Sequence, residues 1–567
     1  MTTARLGPDY RAAAWQAIGE SELDVLVIGG GVVGAGAALD AASRGLSVAL
    51  VEARDWAAGT SSRSSKLIHG GLRYLEQRDF ALVREALKER ALLLHRLAPH
   101  LVRPVPFLLP LRHRVWERGY IGAGVLLYDT MGGARALPRH RHLSRRRALQ
   151  VAPSLREDAL VGAIQYYDAQ VDDARHTMMI ARTAAQLGAT VLTRARVTGL
   201  VRDGDRVTGA HVLDVETGGE VVVRARRVIS ATGVWTDELH QAAAAAKPFS
   251  VRASKGVHIV VPRDRVRLDT GLILRTEKSV LFVIPWGKHW IIGTTDTDWD
   301  LDKAHPAASR ADVDYILDHV NAVLRTPITR DDIEGVYAGL RPLLAGQSAD
   351  TAQLSREHAV ATPAPGLVTV AGGKYTTYRV MARDAVDAAA RGLGRAVPPS
   401  RTEHLPILGA VGYHELWIDR HVVAERAGLP VATVEHLLRR YGSGVRDLLE
   451  LIAERPELGT PIPGAEEYLR AEAYYAVSHE GALHLEDVLT RRLRVSIEES
   501  DRGLFAAAEV ASLIAPLLGW DDATTQREVR LYADRVRAER AAQEAATDVE
   551  ANAARLAAGE VAEVSLA

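Results

Sequence analysis

Cysteine is absent from all 567 residues. That excludes disulfides, thiolate nucleophiles, cysteine-ligated iron–sulfur clusters and zinc–thiolate sites. The chain also lacks a net charge to speak of, −1 at pH 7, so global electrostatics give no reason to expect nucleic acid or a strongly anionic partner. No apolar h-region opens the N-terminus, MTTARLGPDYRAAAWQAIGESE, and no secretory signal is visible there. Nor does any uninterrupted apolar run reach the ~18 residues that a spanning helix needs. The expectation is a cytoplasmic protein whose membrane contact, if any, is peripheral to the inner face. No repeat of fixed period is present. A length of 567 residues at roughly 150 per domain allows three to four domains' worth of chain.

Against these absences stands one organised stretch, Asp24 to Arg54, DVLVIGGGVVGAGAALDAASRGLSVALVEAR. An apolar strand ends at Ile28, and Gly29, Gly31 and Gly34 then follow the pattern G-x-G-x-x-G. Small residues from Val32 to Ser43 predict a helix packed tightly on a sheet. Leu46 to Val51 predict a second strand, ending at Glu52. Such a turn brings backbone amides and a helix N-terminus to a pyrophosphate, and the terminal carboxylate to a ribose diol. Strand, turn, helix, strand and acid occur in order, so the chain is expected to bind an adenine dinucleotide.

Next comes a segment rich in hydroxyl and amide donors, GTSSRSSKLIHGGLRY (59–74), and an amphipathic helix through Arg96 with Leu82, Ala86, Leu93 and Leu97 at helical spacing. Between Arg135 and Arg147 lie six arginines and two histidines without one acidic residue. Such a run is either a solvated face or a dock for an anionic membrane surface. An apolar strand ends in Ala231-Thr232-Gly233. From Arg252 to Thr297 strand-like pieces follow one another, predicting an antiparallel sheet over the nucleotide domain. Another strand–glycine–helix junction occurs at Ala371-Gly372-Gly373-Lys374. Beyond a linker at 398–401 the chain turns helical, and Thr525 to Arg555 predicts an exposed helix with a frayed end. A second full glycine fingerprint is missing, and the nucleotide elements are dispersed along the chain. Together these favour a single FAD held noncovalently, with electrons leaving to a diffusible acceptor.

The segments TSSRSSKLIHGGLRYLE, VDDAR, KGVHIVVP, FVIPWG, IIGTTDTD, GLRPL and GGKYTTYR, with the dinucleotide turn, resemble the FAD-dependent glycerol-3-phosphate dehydrogenase family, in order from about residue 22 to about 515. The resemblance implies an α/β fold. It has an FAD-binding Rossmann-like domain of the glutathione-reductase/D-amino-acid-oxidase type, an antiparallel β substrate-binding domain, and a C-terminal all-α domain. The expected segmentation is an oxidoreductase region at 22–397, with FAD-binding elements 22–105, 150–240 and 355–397 interleaved with substrate segments 106–149 and 241–354. A helical domain at 402–520 and a helical, partly frayed tail at 521–567 complete it. The implied reaction is oxidation of sn-glycerol 3-phosphate to dihydroxyacetone phosphate, with electrons passing to a quinone, and the expected assembly is a homodimer.

The expected cofactor-binding residues are Gly29, Gly30, Gly31, Val32, Val33, Gly34, Glu52, Thr60, Ser61, Ser62, Ser65, Lys66, Leu67, His69, Gly70, Ala231, Thr232, Gly233, Gly372, Gly373, Lys374 and Thr376. A phosphomonoester dianion calls for converging cations, best supplied by arginine. The residues matching the family's motifs are Arg73 with Tyr74, Arg341, Arg356 and Lys374. His258 is the expected group at the reacting hydroxyl, because its ordinary pKa lies near neutrality. His258, Lys374 and Arg341 are the catalytic candidates. The bland alternatives are a satisfied strand histidine and structural ion pairs. His69 is read as a hydrogen-bonding residue without a covalent flavin link, and no metal is expected. Rival readings are an oxidase of the same fold that makes peroxide, a noncatalytic flavin-fold protein, and an amine oxidase.

Overall fold

The computed structural model describes residues 5–76, 79–113, 116–132, 137–242, 247–276, 280–345 and 357–559. Two sheets and a helical region enclose one large cavity. In the first sheet the strands run in the order His358–Ala364, Leu367–Gly372, Glu220–Ser230, Leu23–Ile28, Val48–Val51, Thr190–Leu192. Its central pairings are parallel, with Leu23–Ile28 flanked by Glu220–Ser230 and Val48–Val51. Every residue of Leu23–Ile28 is buried, as a strand covered on both faces requires. The helices Val32–Ser43, Asp173–Gln186 and Tyr378–Ala390 pack with it into one apolar core. A Cβ on Gly34 would come 1.8 Å from the Gly29 carbonyl oxygen, so glycine is what lets this helix close on its strand.

The second sheet has ten strands and is mostly antiparallel. Its longest pairing joins Val251–Pro262 to Gly335–Leu344, in register from Val251↔Leu344 to Val260↔Gly335. The interleaving runs deeper than substrate segments 106–149 and 241–354. Leu67–Ile68, Arg103–Leu111 and Gly162–Gln170 all belong to this sheet, so part of the stretch 150–240 assigned to FAD binding serves the substrate sheet instead. The reason lies in the pairing: Arg103–Leu111 and Gly162–Gln170 match residue for residue along their whole length.

The C-terminal region folds around two apolar cores, one centred on Val434, Leu437 and Tyr475 and one on Leu489, Val510 and Val536. The exposed helix expected over Thr525–Arg555 is instead two helices, Asp522–Glu544 and Asp548–Leu556. The break is capped by Thr547, whose side chain accepts from the Glu550 N–H. Tyr532, Val536 and Ala542 are buried, and Asp548 reaches the fully buried Lys255 of the substrate sheet at 2.5 Å. The composition, rich in Ala, Glu and Arg, hid this burial, because the guanidiniums and carboxylates pair inward. Among the described residues no helix is long and apolar enough to cross a membrane.

Candidate active site

The cavity between the two sheets measures about 1280 Å3. The glycine turn, Glu52, His258, Arg341 and Lys374 all line it. At the turn Gly29 has φ +108°, and a Cβ there would meet the Ala231 carbonyl at 2.7 Å. The helix Val32–Ser43 starts here with its N-terminus on the cavity. Ser61 Oγ accepts from the Val32 N–H at 2.9 Å, pinning the serine-rich loop to the turn. The Glu52 carboxylate accepts from the Gly30 and Arg54 amides at 2.6 and 2.8 Å. It is thereby fixed at the cavity wall, with lone pairs left for a ribose diol.

Elsewhere on the wall one strand carries the chemistry. Ser254, Gly256 and His258 alternate on one face of Val251–Pro262. A Cβ on Gly256 would stand 2.5 Å from Arg341 Nη2, so the missing side chain is the space that the guanidinium occupies. Arg341 is held by Ser254 Oγ at 3.3 Å, Thr294 Oγ1 at 3.1 Å, the Thr295 carbonyl at 3.2 Å and Asp296 at 3.4 Å. The His258 ring stacks on Tyr337, centroids 4.8 Å apart and planes 12° from parallel. Its Nε2 lies 2.9 Å from Ser65 Oγ. Its Nδ1 is buried and makes no hydrogen bond among the described residues. Burial first, then the Arg341 and Lys66 cations, holds the imidazole well below its ordinary pKa, so it is neutral at physiological pH. Lys374 Nζ sits 3.6 Å from the centre of the Tyr74 ring, a cation–π contact at the cavity wall.

A model of FAD dependent oxidoreductases matches residues 24–379, and one of the C-terminal domain of alpha-glycerophosphate oxidase matches 400–525. Glycerol-3-phosphate dehydrogenase 2 of Mycobacterium tuberculosis is 59% identical over 557 residues, 98% of this chain and 95% of that one. The chain belongs to the FAD-dependent glycerol-3-phosphate dehydrogenase family. The mitochondrial glycerol-3-phosphate dehydrogenase of Homo sapiens is 39% identical, over 90% of this chain and 72% of that one. Among solved structures, the glycerol-3-phosphate dehydrogenase from Bacillus halodurans, complexed with FAD, superimposes with a TM-score of 0.79. It is 29% identical and covers 94% of this chain and 98% of its own. The chain is thus an FAD-dependent enzyme with the α/β, β and helical parts of that family. The cavity's volume, the glycine cradle and the fixed Glu52 carboxylate suit a dinucleotide of FAD's length.

Of the residues expected from sequence, Gly29, Gly31, Val32, Val33, Glu52, Thr60, Ser61, Ser65, Leu67, His69, Ala231, Thr232, Gly233, Gly372, Gly373, Lys374 and Thr376 line the cavity, as do Tyr74, His258 and Arg341. Five do not. Gly30 lies behind the wall, its amide on Glu52, and Gly34 is used for helix–strand closure. Gly70 makes room for its neighbours, since a Cβ would sit 2.7 Å from Leu87 and 2.8 Å from Tyr128. Lys66 turns away from the ligand. Its side chain is fully buried and bonds Asp173 at 2.9 Å and the Ser62 carbonyl at 3.1 Å. Ser62 likewise faces inward, its carbonyl also accepting from Arg494 at 3.2 Å. The cause is local: Ser65 and Lys66 are neighbours, and with Ser65 on the cavity Lys66 is turned into the VDD segment. Arg356 and the side chain of Arg73 lie outside the described residues.

Sequence reasoning missed the supports. Asp296 and Thr294 orient Arg341, and Tyr337 orients His258. Arg54, lying over the Trp235 ring at 5.4 Å, walls the nucleotide end together with Arg63. The run TTDTD hinted at the first group. Nothing in the spacing pointed to the others.

Proposed function

We propose that this enzyme oxidises sn-glycerol 3-phosphate at C2 to dihydroxyacetone phosphate and passes the electrons to a membrane quinone. The observation that carries the reading is that Arg341, reaching in from the paired strand Gly335–Leu344, fills the space left open at Gly256, two residues from His258 on Val251–Pro262. A guanidinium fixed by four acceptors can bind the phosphate dianion through paired hydrogen bonds. The neutral imidazole of His258, two residues and about 7 Å along the strand from Gly256, then stands beside a hydroxyl separated from phosphorus only by C3 and the ester oxygen. Bound FAD supplies the hydride acceptor. His258 Nε2, shared with Ser65 Oγ, takes the O2 proton as the C2 hydride departs, and the alcohol becomes a ketone by loss of one hydride and one proton. Lys374, held over Tyr74 on the cavity wall, adds a second cation that would stabilise the developing alkoxide.

The experiment is anaerobic. Glycerol 3-phosphate added to the FAD-loaded protein should bleach the oxidised flavin band, whereas glycerol should not. A flavin-loaded protein that no glycerol 3-phosphate bleaches would refute the substrate assignment.

A membrane acceptor is supported by the helix Trp116–Met131. Trp116, Tyr120, Leu126 and Leu127 are all exposed on it, at 41–60%, while Glu117 is buried and Arg118 turns to the Leu143 carbonyl. His142 packs on Gly122 of this helix. The exposed Arg139, Arg141, Arg145, Arg146 and Arg147 follow in the adjoining segment. An apolar helix face beside a basic run fits an anionic leaflet, where each arginine contributes about 1 kcal/mol. Sedimentation with phosphatidylglycerol vesicles should carry the protein down at low salt, and Tyr120→Glu with Leu126→Glu should abolish it. Equal binding to uncharged vesicles would refute the basic contribution.

A further inference from the structure

His258 takes its place from one loop. Its Nε2 meets Ser65 Oγ at 2.9 Å, and its ring stacks on Tyr337, whose hydroxyl donates to the Ser64 carbonyl at 3.0 Å. Lys66 Nζ stands 4.8 Å from the centre of that same Tyr337 ring. The imidazole Nδ1 makes no hydrogen bond among the described residues. Ser64, Ser65 and Lys66 therefore reach His258 by three routes, and where they sit decides where Nε2 points.

This loop is held from below by Asp173. The Ser64 amide and hydroxyl donate to its carboxylate at 2.9 and 2.7 Å, and Lys66 Nζ does so at 2.9 Å. The carboxylate is fully buried and takes a second cation, Arg494, from the region matched by the C-terminal domain model. The Arg494 guanidinium also donates to Asp172 at 2.7 and 3.1 Å and to the Ser62 carbonyl at 3.2 Å. One side chain thus ties down residues 62–66, directly at Ser62 and through Asp173 at Ser64 and Lys66. The backbone agrees: Lys66 and Arg494, both cations on Asp173, have φ of +56° and +84°. Side-chain-bearing residues keep that conformation only where surrounding contacts over-determine it.

We propose that Arg494 is a positioning residue for the oxidation: by fixing the loop that presents Ser65 to His258, it lets the C-terminal domain complete the active site. The role rests on His258 acting as the base at C2. A base works only within hydrogen-bond reach of its proton, and a misplacement of about 1 Å can cost roughly a hundredfold in rate. Arg341 is supported separately, by Ser254, Thr294, Thr295 and Asp296, none of them in the loop. Loosening the loop therefore slows proton removal and leaves phosphate binding intact. The signature is a loss in kcat without a rise in KM.

The test is a double-mutant cycle with Ser65→Ala in the FAD-loaded full-length protein. Arg494→Lys leaves Asp172 and Asp173 a cation but loses the fork that also reaches Ser62. It should lower kcat about tenfold, with KM for glycerol 3-phosphate within about twofold of the parent and flavin content unchanged. Ser65→Ala should cost a similar factor. Adding Arg494→Lys to it should then cost less than about twofold more, because the contact through which Arg494 acts is already gone. Asp172→Asn keeps the helix cap and removes a charge from under the fork; it should follow the same cycle, and it stands in if Arg494→Lys does not fold. His484→Gln, a buried change between Glu216 and Glu528 in the same region, should lower Tm at pH 7 and leave kcat alone. Effects that multiply across the cycle, a KM rise at unchanged kcat, or a kcat loss that only tracks lost flavin overturn the proposal while His258→Gln still costs about a hundredfold. A His258→Gln loss below about tenfold overturns the base assignment first, and the positioning role with it.

Discussion

Replacing Arg341 tests the substrate reading most directly, and two replacements are needed. Its side chain keeps 24% exposure toward the cavity, while its partner Asp296 keeps only 8%. Arg341→Ala therefore removes a phosphate ligand and also strips a nearly buried carboxylate of its cation, leaving it the Ser254 hydroxyl. Arg341→Lys keeps a charge for Asp296 but loses the planar fork. Hydrogen bonds to charged groups contribute about 1.5–3 kcal/mol each. Losing a paired set amounts to about 3 kcal/mol, or roughly a hundredfold in binding at about 1.4 kcal/mol per tenfold. Steady-state kinetics with a dye acceptor should show KM for glycerol 3-phosphate up about a hundredfold in both variants, with kcat down less than tenfold. Flavin content per protein should match the parent, and Tm should fall in Arg341→Ala but hardly in Arg341→Lys. If both variants lose FAD in step with activity at unchanged KM, Arg341 belongs to the cofactor and the reasoning fails.

His258→Gln should lower kcat by roughly 10²–10⁴, the usual worth of a positioned base, with flavin retained; a loss below tenfold would reassign the proton to another group. Because burial holds the His258 pKa well below its ordinary value, kcat/KM should show no acid limb near pH 6.5 from this group, and stopped-flow bleaching across pH 5.5–8 reads it directly. His484 gives the opposite sign. Clamped between Glu216 at 2.9 Å and Glu528 at 3.1 Å, it is raised from 6.5 to about 9. Its stabilising effect is full below pH 6.5 and is lost as pH rises through 9, about 3 kcal/mol in all at about 1.4 kcal/mol per unit. Urea titrations should show that advantage over His484→Gln shrinking from pH 6.5 to 9, and parallel curves would refute it.

The dinucleotide end was legible because its signal is local. Gly29, Gly34 and Glu52 act through one strand–turn–helix–strand unit whose spacing the chain itself sets. The substrate end was legible only as separate pieces. His258 and Arg341 are 83 residues apart in number, and antiparallel pairing with the absence of a side chain at Gly256 makes them neighbours. Lys66 shows the converse. Its place in a donor-rich loop suggested a ligand, but tertiary burial against Asp173 spent the charge inside the protein.

By itself, then, the order of residues determined the nucleotide fold, the cofactor class and the family, since these depend on short-range periodicity and on motifs. Tertiary structure alone decided which donors face the cavity and which face inward. It also folded a tail that looked exposed onto Lys255. Burial, unlike backbone propensity, depends on contacts between residues hundreds of positions apart, and no local pattern encodes them.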